Sequence, residues 1–402
     1  MHDEQREAAV QDRSQPARFE ALDGWRGICA LLVVLFHAPV AGIVHETAFF
    51  RHGYLFVDFF FVLSGFVIAH AFYDRLRGEQ NFGRFFGLRL FRVYPLHLFM
   101  LALFVAFECL MLVTKGPSEA FVGGNSVVAL AHNLLMSHSF GTVDSLGWNY
   151  PSWSISAELL AYGLFALMVI RAPRAMLPLM AVTIVGGLVV IALIEGTMDT
   201  TVRFGWLRCL AGFSLGAVLR LVIWPRAGGR VAVGGTAWTL AELACVLLVA
   251  VFVSELGGSV LSVAAPLVFA FAIYVFGHEG GAVSRLLKAG PIAFLGAISY
   301  SVYMTHAFVI SRTENVATVL GDRTGWPIFS AAADGKRLMG STEWQSLTAL
   351  AIILAGTIVM SAITWRLIER PGMAYGQKRL SRKAAPVSGH SADKPVADGS
   401  TP

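Results

Sequence analysis

About ten runs of roughly twenty apolar residues recur along the chain, and no other feature limits its fold as sharply. A run of that length crosses the roughly 30 Å hydrocarbon core of a bilayer as an α-helix. Inside lipid, only helices or closed barrels satisfy their own backbone groups. The runs fall at 24–43, 54–73, 91–114, 151–170, 175–194, 204–224, 236–255, 258–278, 290–311 and 346–368. They are continuous, where barrel strands would be short and alternating, so the sequence predicts an all-α fold, a polytopic transmembrane helix bundle of about ten helices. With 56% hydrophobic and 14% charged residues and a mean hydropathy of +0.64, the composition agrees.

The basic residues orient the bundle. With the N-terminus in the cytoplasm, twenty Lys and Arg lie in inside segments and seven outside, the bias expected when short loops set topology. Both termini are then cytoplasmic. The same bias accounts for the net charge of +5, so no nucleic-acid partner is implied. Residues 1–22 read as a cytoplasmic N-terminal segment, 23–371 as the membrane domain and 372–402 as a cytoplasmic tail, disordered for want of apolar residues. Cys29, Cys109, Cys209 and Cys245 lie singly within spans and read as apolar fillers, so neither a metal site nor a bound cofactor is expected. The two longest loops, 115–150 and 312–345, face outside.

Ionisable residues within these spans are costly and draw attention to function. In the first span Arg26 and His37 are eleven residues apart. At 100° per residue that is about 20° past three full turns, a rise of roughly 16–17 Å, so the two share a helix face. Arg26 then lies near the cytoplasmic interface and His37 beyond the bilayer middle. A buried imidazole is the side chain best suited to move a proton near neutral pH.

The pattern of Arg, ten residues and His resembles the membrane acyltransferase-3 family, the bacterial O-acyltransferases that modify cell-surface and secreted carbohydrates. Further matches follow in order: GYLFVDFFFVLSGFVI at 53–68, FGLRLFRVYPLHL at 86–98, PSWSISAELLAY at 151–162, ISYSVYMTHAFV at 298–309 and ERP at 369–371. The resemblance implies an acyltransferase of the bacterial inner membrane that takes an acyl group, acetyl by default, from cytoplasmic acyl-CoA to a carbohydrate hydroxyl outside. O-acetylation of exopolysaccharide or lipopolysaccharide is the kind of modification it implies. Acyl-CoA is then a donor substrate, and the acceptor is an extracytoplasmic or lipid-linked carbohydrate.

Each motif carries its own chemistry. Asp58 lies near the outer end of the second span, where a carboxylate could orient His37 if the two helices face each other; Ser64-Gly65 cuts a notch for another helix or a ligand. Arg89 and Arg92, three apart on one face, suit phosphate, and the family's basic motif implies that with Arg26 they hold the donor. Glu158 falls two turns inside the fourth span and must be paired, protonated or water-facing; the resemblance makes it a site residue beside His37 and Asp58. Trp153 offers a ring platform, and with Ser154, Tyr300, Tyr303 and His306 it is a candidate for binding substrate. Glu369-Arg370-Pro371 reads as a helix stop with a local ion pair.

In the chemistry this layout supports, His37 serves as general base for the acceptor hydroxyl. A transient acyl-His is the competing route. Two other readings stay open: a proton-coupled transporter built on Arg26, His37, Asp58 and Glu158, or transfer to a small-molecule hydroxyl.

Overall fold

The computed structural model describes residues 18–78, 80–224, 235–332 and 334–382. Residues 1–17, Arg226 and Arg230 from the inside count, and the tail from residue 383 lie outside these. Ten long helices among the described residues build the bundle: α1 (Glu20–His37), α2 (Phe56–Arg77), α3 (Phe82–Lys115), α4 (Trp153–Arg171), α5 (Met176–Ile194), α6 (Gly205–Val218), α7 (Gly235–Val251), α8 (Ala265–Gly277), α9 (Gly290–Thr324) and α10 (Glu343–Thr364). An antiparallel hairpin, β1 (Phe329–Ala331) and β2 (Arg337–Met339), is the one sheet among the described residues. Nine helices there are long and apolar enough to cross a membrane; α1, whose 18 residues include Glu20, Asp23 and Arg26, is the tenth long one. The chain is a multi-pass membrane protein.

Several boundaries differ from the sequence reading, each for a local reason. The helix α1 stops at His37 rather than 43, because Ala38 precedes Pro39 and turns extended. Residues 312–324, expected as loop, continue α9 to a left-handed Gly325, where glycine ends helices at least cost. The tail expected to be disordered from 372 is helical to Arg382 as α11 (Arg370–Arg382). It packs on α3, with Gly372 against Pro95 and Gly376 against Phe91.

Glycines set the crossings that matter for function. Gly27 of α1 faces the backbone at Gly296 of α9, and any Cβ there would collide. Gly65 lies on the Phe213 backbone and Gly216 on the Val62 backbone, so α2 and α6 touch main chain to main chain. The notch read at Ser64-Gly65 is thus filled by a helix. The apolar core runs through α2, α4, α6 and α8, with Phe56, Phe59, Phe66, Phe165, Phe213 and Phe276 almost wholly buried.

Candidate active site

The arginines gather at the N-terminal end of α1. Arg26 donates from Nε to Ser299 Oγ (2.8 Å) and from Nη2 to the Gly296 carbonyl (2.9 Å), and it pairs with Asp23 at 3.2 Å. Arg92 donates to Glu369 Oε1 at 2.6 Å, and Ser301 donates to Oε2 of the same buried carboxylate at 2.7 Å. The ion pair read as local to Glu369-Arg370 is therefore long-range, tying α3 to α9 and to the π-helical turn Trp365–Glu369. Arg89 differs from both. Its guanidinium lies 4.7 Å from the Phe72 ring, its Nε is buried without a hydrogen-bond partner, and among the described residues no carboxylate lies within ion-pair distance of it.

These three arginines line a cavity of about 170 Å³. Ser154, Glu158, Tyr300 and Tyr303 line it too, so seven of the eleven residues nominated from sequence meet around one space. Glu158 accepts from the Tyr162 hydroxyl at 2.6 Å, which in turn lies 3.0 Å from Ser64 Oγ. Tyr300 donates to the Val93 carbonyl at 2.6 Å. At one wall the hydroxyls of Ser154 and Tyr303 share a 2.8 Å hydrogen bond.

Behind Tyr303 stands a second group of rings. The Tyr303 ring centroid is 5.8 Å from that of His306, and His306 is 5.1 Å from His37. Tyr150 packs on His37 at 4.9 Å and on His306 at 5.9 Å. His306 is fully buried, and neither of its ring nitrogens makes a hydrogen bond of good geometry to any of the described residues. His37, partly exposed at the end of α1, has Nδ1 3.0 Å from the Val33 carbonyl oxygen. A carbonyl only accepts, so Nδ1 carries the proton and Nε2 of the neutral ring presents its lone pair.

Asp58 and Trp153 lie elsewhere. Asp58 is fully buried and held by Arg208 through two bonds, Nε to Oδ1 at 3.0 Å and Nη2 to Oδ2 at 2.7 Å. It does not bond His37, because Arg208 on α6 takes both of its oxygens. Trp153 is not an open platform: its ring packs on Gly205 and lies 5.8 Å from the Arg208 guanidinium. Arg208 was the residue missed, and its signal was present: a charge inside the apolar run 204–224 requires a partner. Tyr150, one residue before the motif at 151–162, carries no such signal.

Comparison with known proteins follows the same lines. The family model described as "Acyltransferase domain" matches residues 19–366, which include all eleven nominated residues. The chain is 24% identical to acyltransferase MdmB of Streptomyces mycarofaciens, over 92% of this chain and 95% of that protein. It is 24% identical to the putative membrane-bound transacylase BcsY of Komagataeibacter xylinus, over 88% and 83% respectively. It is 23% identical to the peptidoglycan O-acetyltransferase OatA of Listeria monocytogenes, over 87% of this chain and 55% of that one. No solved structure matches. With nearly the whole membrane domain matched, and its nominated residues inside the match, the chain belongs to this acyltransferase family.

Proposed function

We propose that the protein transfers an acyl group, acetyl by default, from cytoplasmic acyl-CoA to a hydroxyl of an extracytoplasmic carbohydrate, with His37 as general base. The observation that carries the reading is the protonation pattern of His37. Its Nδ1 is committed to Val33, leaving Nε2 as a lone-pair base beside the buried imidazole of His306. The names of relatives support acyl transfer, one of them to peptidoglycan. The basic end of the bundle faces the cytoplasm of the bacterial inner membrane in this reading, with both termini on that side.

The donor enters among the arginines. Among the described residues Arg89 is the one cation of the three with no carboxylate within ion-pair distance, so a phosphate gives it a close counter-charge. Arg92 is paired with Glu369, Arg26 shares Asp23 with Arg18, and both arginines shape the cavity around Arg89. At the reacting end, Nε2 of His37 takes the acceptor hydroxyl proton as the oxygen attacks the thioester carbon. The C–S bond then breaks, and the departing thiolate recovers the proton from His37. The imidazolium formed between these steps lies beside the rings of Phe36 and Tyr150, whose centroids are 4.6 and 4.9 Å from its own.

The test is His37→Gln, which preserves polarity and bulk but has no basic nitrogen. Transfer to carbohydrate by membranes containing the variant should fall at least a hundredfold, with the protein at normal abundance. Undiminished transfer would refute the assignment.

A further inference from the structure

A second, larger cavity of about 690 Å³ lies past the C-terminal end of α1, at the opposite end of the bundle from the arginines. It is built between the segment 40–47, the hairpin and the start of α10. Its position relative to His37 is fixed by backbone. Met339 N donates to the Pro39 carbonyl at 2.7 Å and Ala41 N donates to the Met339 carbonyl at 2.9 Å, so β2 is stitched to the chain two to four residues past His37. The cavity wall begins at Val40, and three residues of chain span at most about 10 Å.

Its side-chain chemistry is rich in acceptors. Ser330, Ser341 and Ser346 spend their hydroxyl protons on the carbonyls of Gly340, Phe329 and Thr342. Those oxygens are left with lone pairs only. Glu46 and Glu343 also line the space, and neither side chain has a hydrogen-bond or ion-pair partner among the described residues. No Lys, Arg or His among the described residues lines it. The two carboxylates and the three spent serine oxygens favour a ligand rich in O–H or N–H donors and disfavour phosphate and carboxylate, with the hydroxyls of Thr47 and Thr342 as the side-chain donors in the lining. Val40, Val44, Leu347 and Leu350 supply an apolar wall for C–H faces.

We infer that this cleft seats the acceptor, and that the acceptor is an uncharged or amine-bearing saccharide whose hydroxyl and ammonium groups donate to Glu46 and Glu343. The inference rests on the acyl-transfer reading for what is done to the saccharide, and on the cleft alone for its class. It excludes uronate-rich and phosphorylated glycans as preferred acceptors.

The test measures binding without donor, so that it is independent of transfer. The full chain in phosphatidylcholine nanodiscs is titrated calorimetrically with a glucosamine tetramer, cellotetraose and tetragalacturonate. The glucosamine tetramer and cellotetraose should bind at least tenfold more tightly than tetragalacturonate. Glu46→Lys/Glu343→Lys should reverse the order of the two charged probes, and Glu46→Gln/Glu343→Gln should level them without reversal, both variants eluting as the parent does. Equal binding of the charged probes, no binding of any probe at millimolar concentration, or an order unmoved by the lysines would overturn the inference. His37→Gln should keep the binding order. A loss of order in the lysine variant alone therefore speaks to the cleft, and retained transfer in His37→Gln speaks only to the base.

Discussion

The hydroxyls of Ser154 and Tyr303, 2.8 Å apart, join α4 to α9 at the wall between the arginine-lined cavity and the paired rings of His306 and His37. Tyr303 lines the cavity and touches His306, whereas His306 does not line it. In the proposed reaction the donor thioester passes this contact on its way to His37. A net hydrogen bond of about 1 kcal/mol corresponds to roughly fivefold in how often the contact opens. Tyr303→Phe should therefore raise acyl-CoA hydrolysis without acceptor about fivefold, read as thiol release. An unchanged rate would show that Tyr303 does not limit passage.

Arg89 and Arg92 look equivalent in sequence and are not equivalent in space. Removing Arg89 takes away a cation with no carboxylate within ion-pair distance among the described residues, so Arg89→Gln should raise the donor KM roughly tenfold or more, a loss of about 1.5–3 kcal/mol, with the thermal midpoint little changed. Removing Arg92 strands Glu369, which is 1% exposed. Arg92→Gln should cost about 3 kcal/mol of stability, and Arg92→Gln/Glu369→Gln should recover most of it. A matching KM effect from both single variants, without a stability difference, would contradict this division.

What the sequence revealed follows from what periodicity can carry. Apolar runs located all ten long helices, since a span must supply twenty apolar residues in order. The motifs that carry the family resemblance nominated Arg26, Arg89, Arg92, Ser154, Glu158, Tyr300 and Tyr303, and these seven line one cavity. Which charges pair across helices was not legible. Asp58 with Arg208 and Arg92 with Glu369 join residues 150 and 277 positions apart, and nothing local encodes such a choice. The continuation of α9 to Thr324 was hidden because residues 312–324 are polar on most faces and resemble a loop.

The buried pair of Asp58 and Arg208 makes a direct claim about a residue that composition and motif had placed beside the base. Both side chains are almost wholly buried, and Arg208 also donates to the Tyr54 carbonyl at 2.9 Å. Asp58→Asn should leave an uncompensated guanidinium and cost about 3–5 kcal/mol, read as a lower thermal midpoint and reduced abundance. The paired change Asp58→Leu/Arg208→Met removes both charges and should restore most of the stability. If the paired variant is stable yet inactive, Asp58 acts in the chemistry; restored transfer would assign it to the fold.

The segment between α3 and α4 carries a pH-sensitive anchor. His138 is 3% exposed, and burial together with the neighbouring His97 pushes its imidazole down to about 4 from the usual 6.5. It is fixed there by hydrogen bonds: Ser152 Oγ lies 3.0 Å from Nε2, and Nδ1 lies 3.4 Å from the His132 carbonyl. The ring is therefore neutral in the folded protein, whereas the unfolded chain binds a proton below about 6.5. Its contribution is complete above pH 6.5, falls as the pH drops and levels off below about 4, amounting to about 2 kcal/mol lost at pH 5. The thermal midpoint in detergent should decline between pH 7 and pH 5, and His138→Gln should flatten that decline while lowering the midpoint at pH 7. A decline of the same slope in His138→Gln would place the sensitivity in another group.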